Sequence, residues 1–176
     1  MKKSAIYAIV AVIVIIIIVV AAVILFVPGI IPGPTPSPTP TASTSPGAEV
    51  ANATTLTYSA NVTTNGETIE YKWAGKNIHD ANETLRVDFA NYAYILDASV
   101  QKSWMSTDSG ATWTEDVFAD DWTSWSPQWS ANVDNLAHWT EGDTYTYTET
   151  ATEATVLMFN IVVNPTIPDA TFTATA

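Results

Sequence analysis

The sequence predicts an α+β fold, an antiparallel sheet with a helical segment across one face, carried behind an N-terminal membrane helix and a stalk. Three observations predict it. Residues 4–27 carry no charge, residues 56–106 alternate apolar and polar side chains in short runs parted by turn residues, and between residues 115 and 139 the apolar spacing changes to threes and fours before strand-like runs resume. Strands, then a helix, then closing strands is an antiparallel order and not a repeating βαβ array.

The first stretch, SAIYAIVAVIVIIIIVVAAVILFV, predicts a helix that would be roughly 36 Å long at about 1.5 Å per residue, enough to cross a ~30 Å hydrocarbon core. A cleaved signal peptide has a shorter apolar region and a small-residue junction, whereas Phe26-Val27-Pro28 follows here. An uncleaved anchor is expected. Lys2 and Lys3 precede the span and Glu49 is the first acid after it, which places the N-terminus in the cytoplasm and the remainder outside a cell membrane. The bilayer is thus the expected partner of residues 4–27. A type IV pilin precursor is the competing arrangement, but Lys3-Ser4-Ala5 matches such a junction poorly and the apolar run has no early acidic residue.

Residues 28–48 hold seven of the ten prolines, interleaved with Thr and Ser. Proline fixes φ and removes donors, so this is an extended stalk. The division expected is 1–27 for the cytoplasmic tip and anchor, 28–48 for the stalk and 49–176 for one outer domain. That domain contains no cysteine, and its 18 acids face four cations, Lys72, Lys76, Arg86 and Lys102, for a formal charge of −14. Packing alone must hold it, and nucleic acid is disfavoured as a partner. Asn52, Asn61 and Asn82 each begin an N-x-T acceptor sequence, as suits an outside address; Asn164 does not, because Pro165 follows.

Within the domain, Leu56, Tyr58, Ala60 and Val62 alternate with polar residues, and Ile69, Tyr71 and Trp73 do the same after Thr64-Asn65-Gly66-Glu67. This is a hairpin with an Asn-Gly turn. A polar connection over residues 75–82 leads to a third strand carrying Leu85, Val87 and Phe89. The next run, NYAYIL, is apolar at both parities and suits a strand covered on two faces. Residues 97–101 turn it back into a strand bearing Trp104.

Residues 106–113 read STDSGATW. They resemble the Asp-box at every defined position: Ser106, Asp108, Gly110, Thr112 and Trp113. Asp108 is suited to accept turn amides, Gly110 to adopt positive φ and Trp113 to fold back over the hairpin. In sialidases and related propellers the box recurs once per blade, away from the chemistry, so the resemblance implies a structural hairpin and no glycosidase activity.

Phe118, Trp122, Trp125, Trp129, Leu136 and Trp139 then form a helical stripe. Pro127 interrupts it. Proline removes an amide bond, while Ser126 as N-cap would start a second helix, so the stripe predicts either two short helices or one kinked helix. Strands resume at residues 143–149, with Tyr145 and Tyr147 on one face, and at residues 154–163, apolar on both; a tail with Phe172 follows Asn164-Pro165.

Three segments, YKWAGKNIHDANETLRVDF, YAYILDASVQKSWMS and FNIVVNPTIPDATF, together resemble the LolA-like lipoprotein-carrier superfamily across residues 54–172. The matching positions are Gly75, Lys76, Arg86, Val87, Tyr94, Ile95, Asp97, Trp104, Asn164, Pro168, Asp169 and Phe172. What the resemblance implies is a curved antiparallel sheet and an apolar ligand, a lipid or lipid-linked molecule.

No chemistry of catalysis is legible. The histidines, His79 and His138, lack metal-ligand spacing, no Ser-nucleophile motif or phosphate loop occurs, and no enzyme and no cofactor are expected. Asp116, Asp120, Asp121 and Asp134 lack a calcium-loop pattern and read as solvated helix-face acids. Trp122, Trp125, Trp129 and Trp139, with Tyr94, admit two readings: a core that covers the sheet, or a groove for an acyl chain or sugar ring. A stalked structural or adhesive envelope component is the alternative to a ligand carrier.

Overall fold

A computed structural model describes residues 45–150 and 152–174. The anchor of residues 4–27 and the stalk up to residue 44 lie outside the described residues, among which no helix is long and apolar enough to cross a membrane. A short helix α1 (Pro46–Val50) precedes eight strands: β1 (Thr55–Thr64), β2 (Glu67–Lys76), β3 (Thr84–Phe89), β4 (Tyr92–Asp97), β5 (Lys102–Ser106), β6 (Thr114–Asp116), β7 (Tyr145–Thr148) and β8 (Thr155–Val163). Between β6 and β7 lies the long helix α2 (Phe118–Leu136), and a 3-10 turn (Asp169–Phe172) is the last element among the described residues. The strands form one curved antiparallel sheet in the order β6-β5-β4-β3-β2-β1-β8-β7. Its two edges are the shortest strands, which limits the unpaired backbone offered to another chain.

Helix α1 was not expected. Gly47 and Val50 are buried, and Gly47 donates its amide to the Trp139 carbonyl at 2.7 Å, so residues 46–48 belong to the folded module although composition assigns them to the stalk. A side chain at Gly47 would sit within 2.3 Å of the Ala137 carbonyl oxygen, which explains glycine there.

The first hairpin forms as its sequence predicts. Asn65 and Gly66 both take positive φ, 52° and 83°, and Thr64 faces Glu67 across the two-residue turn. That geometry matches the right-handed twist of the strands. At the other end of the module, Asn164 ties β1 to β8: its Oδ1 accepts the Thr54 amide at 2.8 Å while its own amide donates to the Thr55 carbonyl at 2.9 Å.

The register resolves why β8 is apolar at both parities. Thr57 faces Val162 but Ser59 faces Phe159, so β8 holds one extra residue there, and Asn160 takes φ 53°. A bulge of this kind reverses which side chains point inward. Val156 and Met158 pack into the core before it, and Ile161 and Val163 pack there after it. Val162 is left 49% exposed, so β8 is not covered on two faces along its length.

Helix α2 is one continuous helix of 19 residues, with Pro127 inside it. Of the two predicted arrangements this is the single helix, and its Ser126 is not a cap. Proline is tolerated because its ring faces water while the opposite face is held by tertiary packing. The helical reading also began too early and ended too late: Glu115 and Asp116 belong to β6, and Trp139 lies past the helix end yet is buried.

The second sheet face has its own cover. The tail over residues 164–174 folds across β3, where Arg86 donates to the Thr171 carbonyl at 3.0 Å and the Lys76 ammonium sits 5.0 Å from the Phe172 ring centre. Arg86 also forms a two-pronged bond to Asp88, 2.9 Å and 2.8 Å, and its guanidinium lies 5.4 Å from the Trp113 ring centre. Several positions that carry the family resemblance, Lys76, Arg86, Asp169 and Phe172, therefore meet on this face.

Candidate ligand-binding face

The face beneath α2 is built from alternate residues of neighbouring strands. Register aligns Tyr58 with Trp73 and Val87, Ala60 with Tyr71 and Phe89, and then Tyr94 with Met105. Helix spacing of four puts Trp125 and Trp129 on the same stripe above them. The Trp125 ring centre is 5.1 Å from Tyr94, 5.3 Å from Phe89 and 6.0 Å from Trp73; that of Trp129 is 5.6 Å from Tyr58 and 5.9 Å from Trp73. Stacked and tilted rings at these distances are attractive beyond their buried area. Gly75 is part of this fit, because a Cβ there would stand 2.4 Å from Trp129 Cζ2.

Of the aromatic residues named as a groove, the structure therefore draws Trp125, Trp129 and Tyr94 into the core, at 3%, 1% and 6% exposure. Trp139 is buried in the same core, at 9% exposure, with its indole N–H donating to the Glu141 carbonyl at 3.0 Å. Trp122 alone of the four tryptophans is half-buried, stacked on Phe118 at 5.3 Å. Around the N-terminal half of α2, Phe89, Tyr92, Met105, Phe118 and Trp122 are all partly exposed while packing on the core. Phe89 and Tyr92 stack at 5.5 Å. The sequence marks Phe89 and Phe118 as apolar positions but not Tyr92 or Met105 as members of such a cluster, since strand alternation does not say how far a helix reaches.

The opposite end of the layer is closed. Trp129 donates its indole N–H to Glu83 at 2.7 Å, and Val50, Ile78 and Leu136 are buried beside it. Burial raises the Glu83 pKa, against the Trp129 hydrogen bond and nearby His79, which lower it. His79 Nε2 reaches the Val50 carbonyl at 3.5 Å.

The hydroxyls of the layer stay protonated. Burial raises the pKa of Tyr58 well above its ordinary value, pushes Tyr71 up to about 12 and raises Tyr147. Tyr147 donates to Asn132 Oδ1 at 2.7 Å, and Tyr58 lies near the same side chain without completing a hydrogen bond. Such groups position and pack; none is an activated nucleophile.

Two acids depart from their expected place, Asp116, which is half-buried in β6, and Asp121. Asp120 and Asp134 are exposed, but Asp121 turns toward β5 and its Oδ2 is buried. The Ser103 hydroxyl lies near enough to favour the carboxylate, yet neither Ser103 Oγ nor Asp121 Oδ2 completes a hydrogen bond. Burial pushes the Asp121 pKa up to about 6, Ser103 opposing and Asp116 and Asp120 adding to the rise. Among the described residues no group of three or more metal-ligating side chains converges.

The Asp-box closes a loop between β5 and β6 and is tied to the β3–β4 turn, where Asn91 Nδ2 donates to the Thr107 carbonyl at 2.8 Å and the Ser109 amide donates to the Asn91 carbonyl at 2.8 Å. Ser106 Oγ accepts the Gly110 amide at 2.8 Å, and Asp108 accepts the Thr112 hydroxyl at 2.7 Å and the Thr112 amide at 2.9 Å. Those Thr112 bonds, then the Ser106 hydroxyl, hold the Asp108 pKa down to about 2. Gly110 adopts φ 87°, with Trp113 against it. No family model, curated protein or solved structure matches this chain.

Proposed function

We propose that the chain is a non-enzymatic module held at the outer face of a cell membrane by residues 4–27 and a Pro/Thr stalk, and that its domain takes up an apolar ligand, a lipid or lipid-linked molecule. The observation that carries this reading is the half-covered cluster of Phe89, Tyr92, Met105, Phe118 and Trp122 beside the buried aromatic layer. Five large apolar side chains left partly open at one end of a helix-covered sheet offer an acyl chain both surface and a seam to enter. The other end is closed by Glu83, Trp129 and helix α1.

The second reading is a stalked structural or adhesive envelope component without a ligand. It draws on the tightness of the layer itself, where Trp125 and Trp129 already have rings for neighbours on several sides.

Residues 45–176, produced in a lipid-containing host, distinguish the two in native mass spectrometry and in tryptophan emission against added lipid. A bound apolar mass and a Trp122-dependent emission shift are the expected results. No bound mass and no shift would leave the structural reading. Protease added to intact cells tests the address: the domain should be released by cuts in the stalk while the N-terminal residues stay with the membrane.

A further inference from the structure

We infer that Asn82 is the residue of this chain that carries an N-linked glycan, in preference to Asn52 and Asn61. The inference rests on the outward placement of the domain proposed above. All three begin an N-x-T sequence, which is what a transferase requires, so the sequence cannot choose among them. Their surroundings in the fold differ.

Asn61 sits seven residues into β1, half-buried, with Glu70 facing it on β2 and Leu157 on β8. Its hairpin closes on a two-residue turn, and hairpins of this kind form in about 1–10 μs. Asn61 is withdrawn early, and a glycan on it would press against paired strands on both sides. Asn52 is exposed, but its Nδ2 is turned back onto helix α1, donating to the Ala48 carbonyl at 2.8 Å, and Ala53 beside it is 2% exposed. Asn82 has neither constraint. Its backbone is pinned, the amide donating to Asp80 Oδ1 at 2.9 Å and the carbonyl accepting Asn77 Nδ2 at 3.2 Å, while its exposed side chain makes no hydrogen bond among the described residues. The loop thus presents the side-chain amide outward.

The reaction needs a donor of stated class, a lipid-linked sugar phosphate or diphosphate. Asn82 Nδ2 forms a bond to the anomeric carbon, the bond from that carbon to the phosphate oxygen breaks, the lipid phosphate leaves with the electron pair, and Nδ2 gives up one proton to the transferase. Thr84, whose hydroxyl the transferase must also read, is 3% exposed as the first residue of β3. Thr84 begins its strand, so opening of that strand end alone exposes its hydroxyl to the transferase, and the re-closed end then accommodates the sugar. A glycan at Asn82 stands beside Glu83, at the closed end of the aromatic layer and on the side where α1 meets the domain. It leaves the Phe118 and Trp122 end free.

The test is translation of the full chain with microsomes that glycosylate N-x-T, comparing wild type with Asn52→Gln, Asn61→Gln and Asn82→Gln. Protease protection of the domain is read on the same vesicles, and glycopeptide mass spectrometry on the wild-type chain locates the sugar without relying on any variant. The expected result is a protected domain, glycan on the Asn82 peptide, and loss of the glycosidase-sensitive mobility step in Asn82→Gln alone. A protected domain with no glycan, or with glycan on Asn52 or Asn61 and none on Asn82, overturns the inference. An unprotected domain overturns instead the outward address on which it rests.

Discussion

Replacing Asp121 with Asn should stabilise the domain at neutral pH. The carboxylate is half-buried under the first turn of α2, its Oδ2 lacks a hydrogen bond, and Asp116 and Asp120 add like charge. Its pKa stands at about 6, above the ordinary aspartate value. Each pKa unit is worth about 1.4 kcal/mol, so a rise from about 3.9 to 6 corresponds to about 3 kcal/mol between the two protonation states. Water reaches part of the group, and screening reduces this to about 1–2 kcal/mol. Because the folded pKa is the raised one, the contribution is fully present below about pH 4 and is lost as pH rises through about 6. Urea unfolding followed by tryptophan emission at pH 4.5 and pH 7.5 reads the effect. Asp121→Asn should gain about 1–2 kcal/mol over wild type at the higher pH and much less at the lower. An equal difference at both pH values, or a loss at pH 7.5, would refute the argument that an uncompensated buried charge sits there.

Two further substitutions probe the packing and the loop. Gly75→Ala places a Cβ 2.4 Å from Trp129 Cζ2 and should cost about 1–3 kcal/mol by overpacking, read as a lower urea midpoint with an unchanged slope. Asp108→Ala removes the acceptor of both Thr112 bonds and should lower the melting temperature while leaving apolar ligand uptake as it was. Loss of uptake at unchanged melting would give the Asp-box a part in binding.

What could be read in the sequence was what short-range rules control. A run without charges commits residues 4–27 to a membrane expectation, and period-two alternation with Asn65-Gly66 at positive φ specifies the first hairpin and its register. The Asp-box is nearly as local: its side-chain bonds through Ser106 and Asp108 lie within residues 106–112, although Asn91 also ties down Thr107 and Ser109. Helix α2 was legible from its stripe, but its continuity through Pro127 was not, since the helix is held from below by strands far away in the chain. Only the tertiary structure decided which tryptophans form core and which form rim. Trp125 and Trp122 are one turn apart on the same stripe, yet the first lands over Phe89 and Tyr94 while the second lies half-exposed on Phe118. The bulge at Asn160, the carboxylate of Glu83 under a tryptophan 46 residues away, the burial of Asp121 and the tail laid over Arg86 are of the same kind. Each depends on where the curvature of the sheet brings distant residues together, and neither residue type nor spacing encodes that meeting until the strands have paired.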